Sequence, residues 1–210
     1  MRVPAAAVAL LAAGVLLTGC DSVAPSLACK VDPAADDLVA DREAAGIADC
    51  DPATWSVGDG EAARLPDLEL DCLGGADGAA LDQVHGPAVI NFWASNCGPC
   101  RKEMPALQTF YEDYGDQVTV LGVNFVDTYP GAAIDLARQL GVTYPSLADA
   151  CGELQETDAQ LGIGLPFFLF VAEDGSVSKP HAGGVTSPEE VVALVEQNLG
   201  IELAAPGRAS

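Results

Sequence analysis

The sequence predicts an α/β fold with a central mixed β-sheet, helices on both faces of that sheet and an N-terminal hairpin. Two apolar runs, Ala88–Trp93 and residues 118–125, have the length and composition of buried strands. Each run is followed by a segment of helical character, and hairpin signals stand near both ends of the domain. Strands and helices that alternate in this way are typical of a sheet covered by helices.

The strands are predicted from apolar runs and from the turn residues that separate them. Continuous apolar runs indicate strands that are covered on both faces, and glycine-containing turns between short runs indicate hairpins. In chain order we predict a hairpin of residues 68–70 and 79–81, buried strands at 88–93 and 118–125, and a hairpin of residues 167–171 and 176–179.

The helices are predicted mainly from the residues at their ends. Gly141 ends a helix over residues 132–140, because the left-handed position after a helix favours glycine. Ser187 and Pro188 open the last helix as N-cap and first helical residue, with Glu190 at the capping-box position. Further helices are predicted at residues 36–45, at 97–114 with a bend at Pro105, and at 154–161.

Two cysteines directly follow the first buried strand and open a helix. Cys97 and Cys100 enclose Gly-Pro in a Cys-x-x-Cys motif, which in this context indicates a redox dithiol. The unpaired N–H groups and the positive dipole at a helix start lower the pKa of the first thiol, which makes Cys97 the nucleophile. Cys100 lies one turn into the helix and acts second. The predicted chemistry is thiol–disulfide exchange.

This cysteine pair has two other interpretations. A zinc site needs two further ligands, whereas the sequence has only His85 and His181 and no second Cys-x-x-Cys. A purely structural disulfide over so short a loop would gain little chain entropy. Both interpretations are weaker than the redox one.

The start of the chain has the pattern of a bacterial lipoprotein signal. A basic n-region and an apolar stretch over residues 3–17 lead to Leu-Thr-Gly-Cys20. We expect residues 1–19 to be removed and Cys20 to carry the lipid that anchors the protein to the outer face of the membrane. The alternative is an ordinary secretory signal, cleaved near Ala24 or Ala28. The apolar run is shorter than the ~20 residues of a membrane span.

Export would place the chain in an oxidising compartment, where disulfides persist. Of seven cysteines, one is assigned to lipid and two to the dithiol. The remaining four are Cys29, Cys50, Cys72 and Cys151. Four cysteines allow three pairings, among which sequence does not choose. Our hypothesis for these structural disulfides joins Cys29 to Cys50 and Cys72 to Cys151.

Charge and composition bound the partners and the domain organisation. The formal net charge of −22 repels phosphate backbones, so we expect no nucleic-acid binding, and membrane contact only through the anchor. Residues 20–63 are acidic and rich in Ala, Pro and Gly, which predicts a tether. We predict a monomer with its domain at residues 64–201 and a flexible tail at residues 202–210.

Residues 65–201 resemble the thioredoxin superfamily, in particular its exported, membrane-tethered TlpA/ResA-like branch. The resemblance rests on Phe-Trp-Ala at 92–94, on Cys-Gly-Pro-Cys-Arg-Lys-Glu-Met-Pro at 97–105, and on Gly-Leu-Pro at 164–166. It implies a thioredoxin-like fold that needs no metal or organic cofactor. It also implies that Cys97 attacks, that Cys100 resolves the mixed disulfide, and that Pro166 is the cis-proline opposite the dithiol.

The same resemblance makes Glu103 a candidate for tuning proton transfer at Cys100. Cytosolic thioredoxins have a buried acid where this chain has Asn91, and the exported branch uses the acid after the motif. A solvated glutamate in the first turns of the helix is the alternative. Two departures from the family pattern stand near the site: Asn96 replaces a usual Trp, and Phe167-Phe168 replaces a common Thr-Thr. We expect both to change the walls beside Cys97 and not the exchange chemistry.

The predicted function is a lipid-anchored thiol–disulfide oxidoreductase that acts on the cysteines of exported proteins. The resemblance implies a membrane thiol-shuttling protein as redox partner and reduction of apocytochrome c cysteines as the use. General oxidative folding is the competing use, and the direction of exchange is left open. One alternative is a peroxiredoxin-like peroxidase, which would need a Pro-x-x-x-Thr lead-in that residues 92–95 lack. The other is a copper-binding lipoprotein that uses the dithiol, with only Met104 nearby as a further ligand.

Overall fold

The computed structural model describes residues 29–55, 57, 60–75, 77–159, 161–162 and 164–206, apart from the side chains of Thr54 and Trp55. The predicted signal peptide and Cys20 lie outside the described residues. The helices are α1 (Asp36–Ala45), α2 (Pro52–Trp55), α3 (Cys100–Tyr114), α4 (Pro130–Leu140) and α5 (Pro188–Leu199). The strands are β1 (Glu69–Cys72), β2 (Gly78–Ala80), β3 (Ala88–Trp93), β4 (Thr119–Phe125), β5 (Ser146–Asp149), β6 (Phe167–Val171) and β7 (His181–Ala182).

These strands form one mixed sheet in the order β2-β1-β5-β4-β3-β6-β7. The three strands β3, β4 and β5 are parallel, and every other pairing is antiparallel. The predicted α/β class, the mixed sheet and the N-terminal hairpin of β1 and β2 are therefore confirmed. Strand β5 was not predicted, since four residues after a proline carry no usable periodicity.

One end of the sheet gathers the segments that matter for the site. Trp93 is opposite Asn124 at the end of β3, and Phe125 is opposite Asp149 at the end of β5. Parallel strands end at the same edge of the sheet, which we call the carboxyl edge. Cys97 follows β3 and Cys151 follows β5 at this edge. Strand β6 runs the other way and starts there, with Phe167 opposite Phe92.

The two faces of the sheet bury separate cores with different coverings. Helices α1, α3, α4 and α5 all contribute buried side chains to one core, which includes Trp93 and Phe110. The opposite core contains Phe92 stacked on Phe167, with ring centroids 4.2 Å apart. On this side two short 3₁₀ helices, at Leu81–Gln83 and Glu153–Glu156, contribute the buried side chains of Leu81 and Leu154. Helices thus lie on both faces, in unequal shares.

The N-terminal segment differs from the predicted tether over its described part. Helix α1 forms where it was predicted, but it packs against α4. Arg42 of α1 is buried, donates to the carbonyl of Gly74 at 3.0 Å and forms an ion pair with Asp49. Leu38 and Ile47 belong to the core that includes Trp93 and Phe110, which we call the helix-side core. The composition of the segment does not predict this packing, because only a few of its residues make the contacts that hold it against the domain.

The predicted pairing of the structural disulfides is wrong. Cys29 is bonded to Cys151, and Cys50 to Cys72. The N-terminal segment folds back across the domain, which brings Cys29 to a partner 122 residues along the chain and Cys50 to one 22 residues along. Cys50 and Cys72 are buried, whereas Cys29 and Cys151 are exposed.

Three further predicted elements differ from the structure. The helix at residues 154–161 is limited to the 3₁₀ helix Glu153–Glu156, and residues 176–179 contribute one bridge, Val177 to Val171, instead of a strand. Part of the predicted flexible tail is packed: the N–H of Ala204 donates to Gln117 at 2.8 Å. Among the described helices, none is long and apolar enough to cross a bilayer.

Candidate active site

The two cysteines of the motif form a disulfide where the chain leaves the carboxyl edge. Their Cα atoms are 5.3 Å apart. Cys97 is partly exposed, whereas Cys100 has no exposed surface. A sulfur atom of another molecule can therefore approach Cys97 and is kept from Cys100.

Cys97 caps the start of α3 with both its side chain and its backbone. The N–H of Cys100 points to the sulfur of Cys97 at 3.2 Å, and the N–H of Arg101 donates to the Cys97 carbonyl at 3.3 Å. The helix begins at Cys100 and not at Cys97 as predicted, since the intervening Gly98 and Pro99 form a turn. An N–H group directed at a sulfur atom stabilises the thiolate after reduction.

The cis-proline predicted at position 166 is confirmed. The Leu165–Pro166 peptide bond is cis, as is Gly86–Pro87. Pro166 directly precedes β6, so it lies at the carboxyl edge beside the end of β3. Its carbonyl accepts the N–H of Gly183 at 2.9 Å. Leu165 and Cys97 are both partly buried against the helix-side core.

Glu103 is a buried side chain and not the solvated one of the alternative interpretation. It is 1% exposed and lies one turn beyond Cys100 in α3. One carboxylate oxygen accepts from the side-chain amide of Asn91 at 2.9 Å, and the other accepts from the N–H of Gly184 at 3.2 Å. Glu103 thus connects α3, β3 and the loop after β7.

Burial determines the protonation of this acid. Desolvation raises the pKa of Glu103 from 4.5 to about 7, although the hydrogen bonds from Asn91 and Gly184 act in the opposite direction. Burial also raises the pKa of the nearby Tyr144, and the negative charge of Glu103 adds to that shift. A carboxyl group with a pKa near neutrality can take up or release a proton at physiological pH.

Sequence reasoning missed several residues that complete the region. The Tyr144 hydroxyl donates to the side-chain amide oxygen of Asn91 at 3.5 Å, and the N–H of Gly184 donates to Glu103. Asp127 accepts the N–H of Ser95, just before the motif. The Gly183-Gly184 pair was a usable signal in the sequence. The structure shows why glycine is needed there, since a Cβ at Gly183 would come within 2.5 Å of Pro166. Tyr144 and Asp127 carry no comparable local signal.

Of the two departures from the family pattern, one changes the surface. Asn96 is exposed beside Cys97, as expected. Phe167 and Phe168 are 1% and 2% exposed and belong to the two cores. Consecutive strand residues point to opposite faces of the sheet, so the two rings enter different cores and add almost no exposed surface; their effect on the wall beside Cys97 stays a prediction.

The surface near the dithiol is a shallow groove. It is lined by Asn96, Val126, Leu161 and Leu165, among others. A larger cavity, of about 760 Å³, is lined by residues that include Leu65 and Pro180. Within the described chain, no three His, Cys, Asp or Glu residues are grouped to hold a metal. An open surface suits a polypeptide disulfide better than it suits an enclosed small molecule.

Fold and site define a protein of the thioredoxin-like class with a Cys-x-x-Cys disulfide at the start of a helix. Residues 60–195 match the family model Redoxin, and the chain belongs to that family. The thioredoxin-like protein YneN of Bacillus subtilis is 29% identical over 148 residues, covering 70% of this chain and 82% of that protein. The thiol-disulfide oxidoreductase ResA of Halalkalibacterium halodurans is 30% identical over 146 residues, covering 63% and 72%.

Solved structures agree with this assignment. The chain is similar to MTB DsbF, solved in its mixed oxidised and reduced forms, with a TM-score of 0.52 and 25% identity. The match covers 63% of this chain and 98% of that one. The predicted thioredoxin-like fold and the predicted enzyme class, a thiol–disulfide oxidoreductase, are confirmed. Its substrates are thiols and disulfides.

Proposed function

We propose that this oxidoreductase works outside the cytoplasm, anchored through Cys20, with Cys97 and Cys100 as its exchanging thiols. The observation that carries the assignment of the thiols is their asymmetry. Cys97 is partly exposed and its sulfur receives the N–H of Cys100, whereas Cys100 is fully buried. The first is suited to attack another molecule and the second to resolve the product.

The exchange conserves sulfur bonds and electrons at each step. In the reduced enzyme the Cys97 thiolate attacks a substrate disulfide, forming a mixed disulfide and releasing one substrate thiolate. The Cys100 thiolate then attacks the Cys97 sulfur and releases the second substrate thiolate. The substrate gains two electrons, and the enzyme becomes the disulfide seen in the structure. The oxidised enzyme runs the same steps in reverse.

Glu103 and Pro166 support these steps in different ways. Glu103 is one helical turn from Cys100, has a pKa of about 7 and can accept the proton that Cys100 loses on attack. Pro166 has no N–H, so the backbone of Leu165 beside it stays available to pair with a substrate strand.

Two observations support export. The N-terminal sequence has the lipoprotein pattern described above, and two disulfides join segments distant in the chain. Disulfides of this kind persist in oxidising compartments. The partner that exchanges electrons with the dithiol is then a membrane thiol-shuttling protein, and exported apocytochrome c is the substrate that we propose for a reducing direction.

Trapping identifies the substrates and tests the assignment of the thiols. Cys100→Ser removes the resolving thiol, so mixed disulfides should accumulate on Cys97 and be released by reductant. The matched control is Cys97→Ser, which keeps the buried thiol and should trap nothing. Trapped proteins with a Cys-x-x-Cys-His motif would support the cytochrome c role. Adducts in the control, or adducts on other cysteines, would contradict the assignment.

Two measurements test the remaining parts. Equilibration with glutathione gives the reduction potential: a value near that of thioredoxin, about −270 mV, predicts a reductant, and one near about −120 mV an oxidant. Labelling of cells with a fatty-acid analogue should mark the wild-type chain and not Cys20→Ser. A labelled Cys20→Ser protein, or an unlabelled wild type, would overturn the anchor.

A further inference from the structure

In the turn that leads into Cys97, both the N–H and the carbonyl of Ser95 are hydrogen-bonded to side chains. The N–H of Ser95 donates to a carboxylate oxygen of Asp127 at 2.6 Å. The carbonyl of Ser95 accepts two N–H groups of the Arg101 guanidinium, at 3.2 and 2.8 Å. Asp127 comes from the loop after β4 and Arg101 from α3, so two different elements hold the same backbone residue.

The contacts of Asp127 require a carboxylate. Asp127 is 1% exposed and receives three N–H groups: Ser95 and the Asn124 amide on one oxygen, Tyr129 on the other at 3.2 Å. An ionised carboxylate has only acceptors, whereas an asparagine would direct an NH₂ group at one of these donors. Substitution to Asn therefore loses at least one bond without changing the size of the side chain.

The backbone before Asp127 takes an unusual conformation. Val126 has φ of +52°, a region that β-branched residues rarely occupy. Its N–H donates to the carbonyl of Asp149 at 2.8 Å, which ties this turn to the end of β5. In this turn the Asp127 carboxylate reaches the N–H of Ser95. Rare backbone conformations of this kind are common where a site requires a particular geometry.

Ser95 lies inside the turn that ends at Cys97. The N–H of Cys97 donates to the carbonyl of Ala94 at 3.1 Å, which closes the turn over residues 94–97. The Cys97 sulfur is in turn within 3.2 Å of the Cys100 nitrogen. A shift of Ser95 would therefore move Cys97 relative to the first N–H groups of α3.

We propose that Asp127 and Arg101 are positioning residues, which hold the Ser95 turn so that the Cys97 sulfur stays over the N–H of Cys100. This inference rests on the proposed role of Cys97 as the attacking thiol. The two residues bear opposite charges, so their direct electrostatic effects on a Cys97 thiolate have opposite signs. A role through geometry, by contrast, predicts the same effect for loss of either residue.

The test measures the pKa of Cys97 in the reduced full-length protein by the pH dependence of alkylation. Asp127→Asn should raise this pKa by about one unit, so that alkylation at pH 6 is about tenfold slower. The matched control is Asp149→Asn, an equally buried acid at the same edge whose carboxylate accepts the N–H groups of Glu153 and Leu154. The control should leave the Cys97 pKa unchanged.

Arg101 offers a second variant, at an exposed position. Arg101→Gln should slow alkylation at pH 6 more than Lys102→Gln does, although both remove one positive charge from the same exposed turn. Arg101→Lys should recover part of the rate, because one donor to Ser95 remains possible.

Each result separates the alternatives. A lower pKa in Asp127→Asn would indicate that the carboxylate acts only through its charge, and an unchanged pKa that it acts only in folding; either outcome overturns the proposal. Equal effects of Arg101→Gln and Lys102→Gln would do the same. Slow alkylation of wild-type Cys97, no faster at pH 6 than a small thiol, would instead refute the proposed function itself.

Discussion

Burial of Glu103 makes its protonation depend on folding. Its pKa is raised to about 7 in the folded protein, mainly by desolvation, while an exposed glutamate has a value near 4.5. Below pH 4.5 the acid is protonated in both states. Between pH 4.5 and 7 only the folded state keeps the proton, so the free energy of unfolding falls as pH rises through this window.

Glu103→Gln removes this dependence. Between pH 4.5 and 8, wild type should lose about 3 kcal/mol of unfolding free energy relative to the variant, since each pKa unit corresponds to about 1.4 kcal/mol. Urea unfolding of both oxidised proteins at several pH values measures the difference. Glu112→Gln, at an exposed acid of the same helix, is the control and should run parallel to wild type.

The same variant tests the proposed role of Glu103 at the dithiol. In the reduced protein, Glu103→Gln should change the titration of Cys100, because the proton acceptor one turn away is lost. NMR titration of labelled cysteine measures that pKa. An unchanged Cys100 titration would leave Glu103 with a structural role alone.

At the scale of single residues, the sequence predicted those that belong to a local motif. The spacing of the dithiol, Glu103 and Pro166 is visible in short stretches of chain, and the structure brings these residues to one region. Tyr144 and Asp127 could not be predicted, because each meets the region only after distant segments pack together. For Phe167 and Phe168 the pattern does not show which core each residue enters.

At the scale of elements, the site depends on how closely the loop after β7 approaches α3. Gly183 donates to the carbonyl of Pro166, and a Cβ there would lie 2.5 Å from the Pro166 ring and 2.6 Å from Glu103. Both distances are far below van der Waals contact. The loop can therefore reach the cis-proline and the buried acid only without a side chain at this position.

Gly183→Ala should destabilise the protein by about 1–3 kcal/mol, the usual cost of overpacking a buried contact. It should also displace the Glu103 carboxylate from the N–H of Gly184. Gly164→Ala is the matched control, because a Cβ there meets nothing within 4 Å. Urea midpoints of the two variants measure the effect. Equal midpoints would mean that the loop moves away without cost.

Elements with strong end signals were predicted well. Helix α5 begins after Ser187, whose side chain accepts the N–H of Glu190, and ends before the left-handed Gly200. The Glu190 carboxylate bonds to Thr186 and not to the N-cap itself. Strand β7, with two residues, has too little pattern to be predicted, and it exists because β6 offers it an edge.

At the scale of the whole molecule, the N-terminal segment is part of the folded unit. Its composition predicted a tether, and packing of Leu38, Arg42 and Ile47 overrides that prediction. The disulfide pairing could not be predicted, because it depends on the path of this segment across the domain. The sheet and its parallel centre, in contrast, follow from local apolar runs.

The two structural disulfides should differ in their response to reductant. Under limiting dithiothreitol, Cys29 and Cys151 should become alkylated well before Cys50 and Cys72, because only the first pair is exposed to the attacking thiolate. Alkylation at successive times, followed by peptide mass mapping, measures the order. Simultaneous reduction of both pairs would show that the segment opens as one unit.

The bond between Cys29 and Cys151 also sets a working distance from the bilayer. With the lipid that we propose on Cys20, 29 − 20 = 9 residues separate the membrane from the carboxyl edge, a maximum of ~30 Å. Targets must then present their sulfur atoms close to the lipid surface. Cleavage of that bond would leave α1, which begins at Asp36 and packs against α4, as the next fixed point and extend the range to ~55 Å, since 36 − 20 = 16 residues.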